Sequence, residues 1–88
     1  MIKRFSVEAA KDYDYWKKGN KKIVSKINDL LEDIDKNPYT GLGHPKPLRG
    51  DLSGYYRRII DKKNRLVYRI INEEIIHIIR CKGHYDDK

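Results

Sequence analysis

The pattern of hydrophobic and polar positions predicts one strongly amphipathic helix near the middle of the chain. Its apolar stripe recurs at helical spacing and comprises Ile23, Val24, Ile27, Leu30, Leu31 and Ile34. The opposite side of this segment is charged and therefore faces solvent. Asn37-Pro38 ends the helix, because proline lacks the backbone donor that a further turn requires.

A first helix precedes this one. Ile2 to Phe5 has the composition of a short strand, and Ser6 is placed to cap the helix that follows. Apolar and aromatic residues then recur at helical spacing up to Trp16. Gly19-Asn20 suits a helix end and a turn, so the chain opens with a strand and two consecutive helices.

Three strands complete the prediction, at Tyr55–Ile60, Arg65–Ile71 and Ile75–Cys81. The connectors DKKN and NEE have hairpin length, so the strands form an antiparallel meander. A loop rich in glycine and proline, Tyr39 to Gly54, precedes them, and one short strand is expected in it near residues 47–49. The predicted fold class is α+β: two N-terminal helices packed on a small, mainly antiparallel β-sheet, in a single domain over residues 1–88.

Strand alternation assigns the side chains to two faces of this sheet. In the middle strand, an apolar set opposes a set that carries arginines: Leu66, Tyr68 and Ile70 against Arg65, Val67 and Arg69. The apolar face can meet the helices, and the other face is cationic. Arg57 and Arg58 must point to opposite faces.

Composition narrows the class of partner. The chain has 88 residues and a formal charge of +7, which favours polyanions or acidic proteins as partners. Cys81 is its only cysteine, so no internal disulfide forms, and no segment has the length of a signal peptide or a membrane span. We therefore expect a cytoplasmic protein with no membrane association.

Residue types alone support only a basic domain that binds nucleic acid. Guanidinium groups bind phosphate oxygens, and tyrosine stacks on bases. An isolated arginine on a strand, such as Arg58 or Arg69, is nevertheless more often solvated or salt-bridged than functional. His77, between isoleucines, is expected to be structural, and His44 is expected to be a solvated loop residue.

The order of several short strings is more specific than any one of them. DYDYW, KKIVSKINDLLEDI, NPYTGLGHPKPLRGDLSGYYRRI, NRLVYRI and the closing HY occur in that order. Together they resemble the YoeB/Txe branch of the RelE/ParE toxin superfamily, from about Phe5 to Tyr85. The resemblance implies a RelE-like microbial RNase fold.

It also implies a function. Such toxins are endoribonucleases that cut mRNA in the A site of the 70S ribosome, and an acidic antitoxin, here YefM/Axe-like, holds them inactive. In their reaction the ribose 2'-oxygen attacks the adjacent phosphorus and the 5'-oxygen leaves. The resemblance implies neither metal nor cofactor, and a homodimer is a further expectation.

Carried over by position, the resemblance identifies a catalytic arginine and a general acid as Arg65 and His84. A histidine beside phosphate can hold a proton at neutral pH and release it to the leaving oxygen. The expected substrate-binding residues are Tyr85, Arg49, which occupies the place of a family lysine, and Arg58.

The chain departs from the family at the position of the proposed general base. The family pattern Pro-Glu-Pro-Leu is Pro45-Lys46-Pro47-Leu48 here, and a protonated ammonium cannot accept the 2'-OH proton. Either Lys46 serves as a base when neighbouring positive charge deprotonates it, or Asp51 reaches the site. Slower cleavage is the expectation. Asn64 stands where the family usually has histidine.

Two other functions remain open from the sequence. A catalytically weak or inactive relative would bind the ribosome, RNA and antitoxin without efficient cleavage, as the loss of the glutamate suggests. A gyrase-directed toxin on the same scaffold would leave the terminal His84-Tyr85 without a task.

Overall fold

The computed structural model of the protein describes residues 1–84. Two helices lie on one face of a five-stranded sheet. Its elements in chain order are β1 (Ile2–Phe5), α1 (Val7–Gly19), α2 (Lys21–Lys36), β2 (Lys46–Pro47), a short 3₁₀ turn (Gly50–Leu52), β3 (Tyr56–Ile59), β4 (Arg65–Ile71) and β5 (Ile75–Arg80).

The strand order is β1-β5-β4-β3-β2. β2, β3, β4 and β5 pair antiparallel, whereas β1 pairs parallel to β5, so the predicted α+β class and the hairpins are confirmed. β3 is two residues shorter than predicted and β5 is one residue shorter. β2 begins at Lys46 rather than Pro47. A parallel pair requires a long crossover, and the two helices are part of the connection that follows β1.

The first helix begins as the sequence predicts, and the second begins with a cap of the same kind, which the sequence analysis had taken only as a turn. The Ser6 side chain accepts a hydrogen bond from the Ala9 N–H at 3.0 Å, and Asn20 does the same for Ile23 at 3.1 Å. Asn20 thereby ends α1 and caps α2, which satisfies donors that the start of a helix leaves unpaired.

The core lies between the helices and the inner face of the sheet. The α2 stripe is buried except for the half-buried Val24, and it packs on β4 and β5 side chains that have no exposed surface: Leu66, Tyr68, Ile76 and Ile78. The assignment of faces in β4 is therefore confirmed for its apolar set. The opposite, outer face of the sheet is left without a helix over it among residues 1–84.

No helix in the part of the chain that the structure describes combines the length and the apolar character that crossing a membrane requires.

Candidate active site

Arg65 and His84 meet at one end of the sheet. The Nη2 atom of Arg65 lies 3.1 Å from Nε2 of His84, although the two residues are nineteen positions apart in sequence. Arg65 begins β4 and is only 6% exposed, whereas His84 follows β5 and is exposed. The structure thus brings together the two side chains that the resemblance pairs.

The β3–β4 turn holds the Arg65 guanidinium from its other side. Nη1 donates to the carbonyl oxygen of Asp61 at 2.7 Å and also contacts those of Lys62 and Asn64. These contacts fix the orientation of the guanidinium plane, because all of the carbonyls belong to one tight turn. Nη2 is consequently directed toward His84.

Asp61 organises that turn. Its carboxylate accepts from the backbone N–H groups of Lys63 and Asn64 and from the Asn64 side chain. Partial burial acts to raise the pKa of Asp61, but these donors outweigh it and the pKa is lowered. The ionised carboxylate therefore keeps the turn closed beneath Arg65.

Asn64 joins the turn to the C-terminal segment. Its Oδ1 atom accepts from the Gly83 N–H at 2.9 Å, while the Arg65 N–H donates to the Gly83 carbonyl at 2.8 Å. Two hydrogen bonds thus fix the residue immediately before His84. The sequence marked Asn64 only as a departure from the family, and nothing in its spacing indicated this role.

Helix α1 holds the same segment at the end of β5, a few residues before His84. The buried Asp12 carboxylate accepts from the Arg80 guanidinium and from the Cys81 N–H, and the Trp16 indole donates to the Cys81 carbonyl at 2.8 Å. Burial, with Asp12 nearby, raises the pKa of Cys81 to about 12. The thiol is therefore neutral, and the end of β5 is attached to α1.

Lys46 and Arg49 are both exposed. β3 lies between β2, which begins at Lys46, and β4, which begins at Arg65. Lys46 pairs with Arg57, which pairs with Val67, two residues from Arg65 on the same side of β4. Strand spacings place the Lys46 and Arg65 backbones about 12 Å apart. Lys46 and Arg65 therefore border one stretch of the outer face.

Arg58 does not belong to that surface. It has no exposed area, and its guanidinium donates to the Tyr68 hydroxyl, to Asp33 and to the carbonyl oxygens of the loop that precedes β2, namely Asn37, Thr40 and Leu42. A side chain without exposed surface cannot contact RNA. The expectation that Arg58 binds substrate is therefore corrected: Arg58 shapes the loop that leads to Lys46.

The loop itself is fitted closely around this arginine. Asp33 accepts from Arg58 at 2.5 Å and from the Leu42 N–H at 2.9 Å, and both bonds lower the pKa of the carboxyl. Gly41 has a φ of +106°, and a β-carbon there would lie 2.2 Å from the Asp33 carboxylate. The first glycine of the Gly-x-Gly string is thus required by this ion pair.

Tyr85, the remaining substrate-binding residue expected from the sequence, lies outside the described residues. Asp51 lies exposed in the 3₁₀ turn, as a turn residue.

Residues 5–85 match a family model described as the YoeB-like toxin of bacterial type II toxin-antitoxin systems. The chain is 40% identical to Toxin YoeB of Streptomyces coelicolor over 81 residues, which cover 92% of this chain and 95% of the relative. Toxin YoeB of Escherichia coli K12 is 41% identical over the same shares of the two chains.

Solved structures agree with these matches. A YoeB/ParE toxin from Agrobacterium tumefaciens superposes with a TM-score of 0.93 at 36% identity, covering 97% of this chain and 100% of that one. YoeB of Staphylococcus aureus has been solved as a dimer and in a YoeB-YefM complex, each with a TM-score of 0.89 and covering 97% of this chain and 98% of that one, at 43% and 44% identity.

Proposed function

The chain belongs to the YoeB-like toxins of bacterial type II toxin-antitoxin systems, and on that premise we propose that it is a ribosome-dependent mRNA endoribonuclease that needs no metal. The observation that carries the proposal is the 3.1 Å contact between Arg65 and His84. It joins a fixed positive charge to a proton carrier, which are two of the groups that cleavage of a phosphodiester uses.

The reaction is an internal transesterification. The ribose 2'-oxygen forms a bond to the adjacent phosphorus, the bond from phosphorus to the 5'-oxygen breaks, and a 2',3'-cyclic phosphate remains. The 2'-OH proton passes to a base, and the 5'-oxygen receives a proton from His84. Arg65 donates hydrogen bonds to the phosphoryl oxygens, on which negative charge accumulates.

The resting contact involves the His84 atom that the proposed reaction uses. Arginine has no acceptor, so its contact with His84 is a hydrogen bond only while Nε2 is unprotonated. A phosphate that takes the Arg65 donors leaves Nε2 open to a proton and stabilises the resulting imidazolium. The acid is thereby prepared at the atom that faces the leaving oxygen.

Lys46 takes either of two roles on this proposal. As an ammonium it contacts a phosphate of the mRNA, and as a free amine it accepts the 2'-OH proton. Arg49, which is exposed, and Tyr85 position the substrate. Since one acid or base contributes about 10²- to 10⁴-fold, a chain without the family glutamate retains activity through Arg65 and through substrate positioning.

The partners follow from the family. We propose that the 70S ribosome presents the mRNA, that an acidic YefM-like antitoxin inhibits the toxin in the cytoplasm, and that the toxin forms a homodimer. The complex and the dimer of S. aureus YoeB support the last two statements. The charge of +7 favours both RNA and an acidic inhibitor.

The test uses ribosomes that hold an mRNA with a defined codon in the A site. After incubation with the purified protein, primer extension should stop within that codon, and the same mRNA without ribosomes should remain intact. Intact mRNA on ribosomes that co-sediment with the protein would refute the nuclease.

That refuting result is also what the second candidate function predicts. A relative that binds ribosome and antitoxin without efficient cleavage is favoured by one observation, the exposed lysine at the position of the family's general base.

A further inference from the structure

An open cavity lies at the C-terminal end of α1, and none of its residues takes part in the proposed reaction. It has a volume of about 340 Å³ and is lined by Tyr15, Trp16, Lys18, Gly19 and Asn20. Pockets that bind small ligands begin at about 300 Å³, so this one has room for a single flat ring system with its substituents. Tyr15 is 57% exposed, which leaves its ring accessible to a ligand. We call this space the α1 cavity.

The two aromatic rings of the α1 cavity are held at a fixed angle to each other. Tyr15 and Trp16 have centroids 5.1 Å apart and an interplanar angle of 76°. The Trp16 indole donates to the Cys81 carbonyl, and the Lys82 ammonium lies 4.9 Å from the Tyr15 centroid. Both rings are therefore restrained before a ligand binds, so that stacking on them carries a small cost in ordering.

Gly19 is a glycine that neither the backbone nor the packing requires. It ends α1 in helical conformation, and a β-carbon built on it would meet no atom of residues 1–84 within 4 Å. Glycine is a poor helix former, so a larger residue at this position would favour the helix. Because Gly19 lines the α1 cavity, a larger side chain there would occupy it. The glycine thus keeps the cavity open.

The polar side chains at the α1 cavity offer hydrogen-bond donors. Lys18 carries an ammonium group, and its ion pair with Asp14 at 3.0 Å is exposed and therefore weak. Asn20 uses its Oδ1 atom to cap α2, which leaves its amide N–H groups for other partners. A ligand with hydrogen-bond acceptors and a negative charge is consequently favoured.

We propose that the α1 cavity binds one unpaired nucleotide of single-stranded RNA, with its base stacked on the rings of Tyr15 and Trp16 and a phosphate beside Lys18. A nucleobase has the flat face that stacks on aromatic side chains, and base edges and phosphates carry acceptors. The proposal rests on the proposed function in naming RNA as the source of the nucleotide. The α1 cavity itself is defined by geometry alone.

The α1 cavity lies at the same end of the fold as the candidate active site. Trp16 contacts the Cys81 carbonyl at 2.8 Å, and Cys81 precedes His84 by three residues, a backbone span of at most about 11 Å. RNA that reaches His84 is therefore close to the cavity. Neither Arg65 nor His84 lines the cavity, so the scissile phosphate lies outside it.

Two other occupants fit the α1 cavity less well. A second copy of the chain, docked here about a twofold axis, would bring Lys17 and Lys18 of the last turn of α1 toward their counterparts. A lipid surface binds helices that insert a wide apolar face, whereas Asp14, Lys17 and Lys18 are charged and exposed around this cavity.

Trp16 is the only tryptophan of the chain, so its fluorescence reports on the α1 cavity directly. The probe is a 2'-O-methyl oligoadenosine, which the proposed reaction cannot cleave because its 2'-oxygen is blocked. The probe should quench the Trp16 emission and shift the indole N–H resonance. It should bind about tenfold more tightly than an abasic chain of the same length and charge, because only the base can stack.

Two substitutions alter the α1 cavity without touching the core, since both positions are exposed. Tyr15→Leu removes a ring and keeps an apolar side chain, whereas Gly19→Leu fills the space. Each should abolish the preference for the oligoadenosine over the abasic chain. Ser25→Leu adds the same side chain at an exposed position of α2, and it should keep that preference.

The nucleotide belongs either to the mRNA or to ribosomal RNA, and co-sedimentation with programmed ribosomes separates the two sources. The mRNA carries 2'-O-methyl groups in the A-site codon, so that it stays intact, and one abasic site at a varied position beside that codon. If the mRNA supplies the nucleotide, one abasic position should weaken binding of wild type as much as Tyr15→Leu does, and should weaken Tyr15→Leu no further. If ribosomal RNA supplies it, no abasic position should matter, and Tyr15→Leu should bind about tenfold more weakly on every mRNA.

Four results would each overturn the proposal: equal affinity for the oligoadenosine and the abasic chain, binding without a change in Trp16 emission, a base preference that Tyr15→Leu and Gly19→Leu both keep, or equal affinity of wild type and Tyr15→Leu for programmed ribosomes. The outcome is separable from the nuclease activity, because no probe is cleaved. A protein without nuclease activity would give the same titrations, and a nuclease without the base preference would still cut mRNA.

Discussion

The Nη2 atom of Arg65 and the Nε2 atom of His84 lie 3.1 Å apart, and the chain around each of the two residues is restrained by hydrogen bonds. The β3–β4 turn orients Arg65, while Asn64 and α1 fix the segment before His84. Two groups restrained in this way meet the substrate without a large entropic cost, which is how positioning contributes to catalysis.

Replacing Lys46 with glutamate tests whether the loop reaches the 2'-OH. The Lys46→Glu variant restores a carboxylate base and should raise the single-turnover cleavage rate, by up to about 10²-fold. Lys46→Gln removes the charge without adding a base and serves as the control. Equal rates for the two variants would exclude this loop from proton transfer.

Asn64 should act on the rate through the position of His84. In Asn64→Ala the Gly83 N–H loses its acceptor, and we expect kcat to fall about 10- to 100-fold with KM little changed. Lys63→Ala, one residue away in the same exposed turn, should leave kcat unchanged. A loss in Asn64→Ala that is explained wholly by a lower melting temperature would contradict the positioning role.

Arg58 should matter for stability rather than for RNA binding. Arg58→Met leaves Asp33 and three loop carbonyls without their donor, and we expect the free energy of unfolding in urea to fall by about 3 to 5 kcal/mol. The exposed Arg69 on the neighbouring strand is the matched control, and Arg69→Met should cost less than about 1 kcal/mol. Equal losses would show that the buried network contributes little.

The same network makes part of the stability depend on pH. The Asp33 pKa is lower in the folded chain than its ordinary value, so its contribution is complete above the unfolded pKa and is lost as the pH falls through the folded one. The difference in unfolding free energy between wild type and Asp33→Asn should be constant well above the ordinary aspartate pKa of 3.8 and should shrink as the pH falls below it. A difference that stays constant down to the lowest pH would contradict this assignment.

The fold was accessible from the sequence where periodicity was strong. The α2 stripe, the Ser6 cap and the two hairpins follow from spacing and turn composition, and all are present. Alternation also places Arg57 and Arg58 on opposite faces, but it does not say which of them is buried. Arg58 is the buried one because it lies beside Leu66 on the inner face, and this follows only from the register of β3 with β4.

The site was less accessible, because its parts come together only in three dimensions. The eighteen residues between Arg65 and His84 contain no periodic signal that links the two, and only the resemblance to a toxin family paired them. The attachment of Cys81 to Asp12 and Trp16 joins residues that are 69 and 65 positions apart in sequence. Arginine is rarely buried, so the sequence indicates a surface cation at Arg58, whereas in the structure its guanidinium donates to five acceptors.

The most direct measurement replaces the leaving 5'-oxygen of the scissile nucleotide with sulfur, in single-turnover cleavage on programmed ribosomes. A thiolate leaves without a proton, so His84→Gln should be slowed about 10²- to 10⁴-fold with the oxygen substrate and should recover nearly the wild-type rate with the sulfur substrate. Arg65→Met should remain slow with both. Equal slowing of His84→Gln with the two substrates would contradict the claim that His84 delivers the proton beside Arg65.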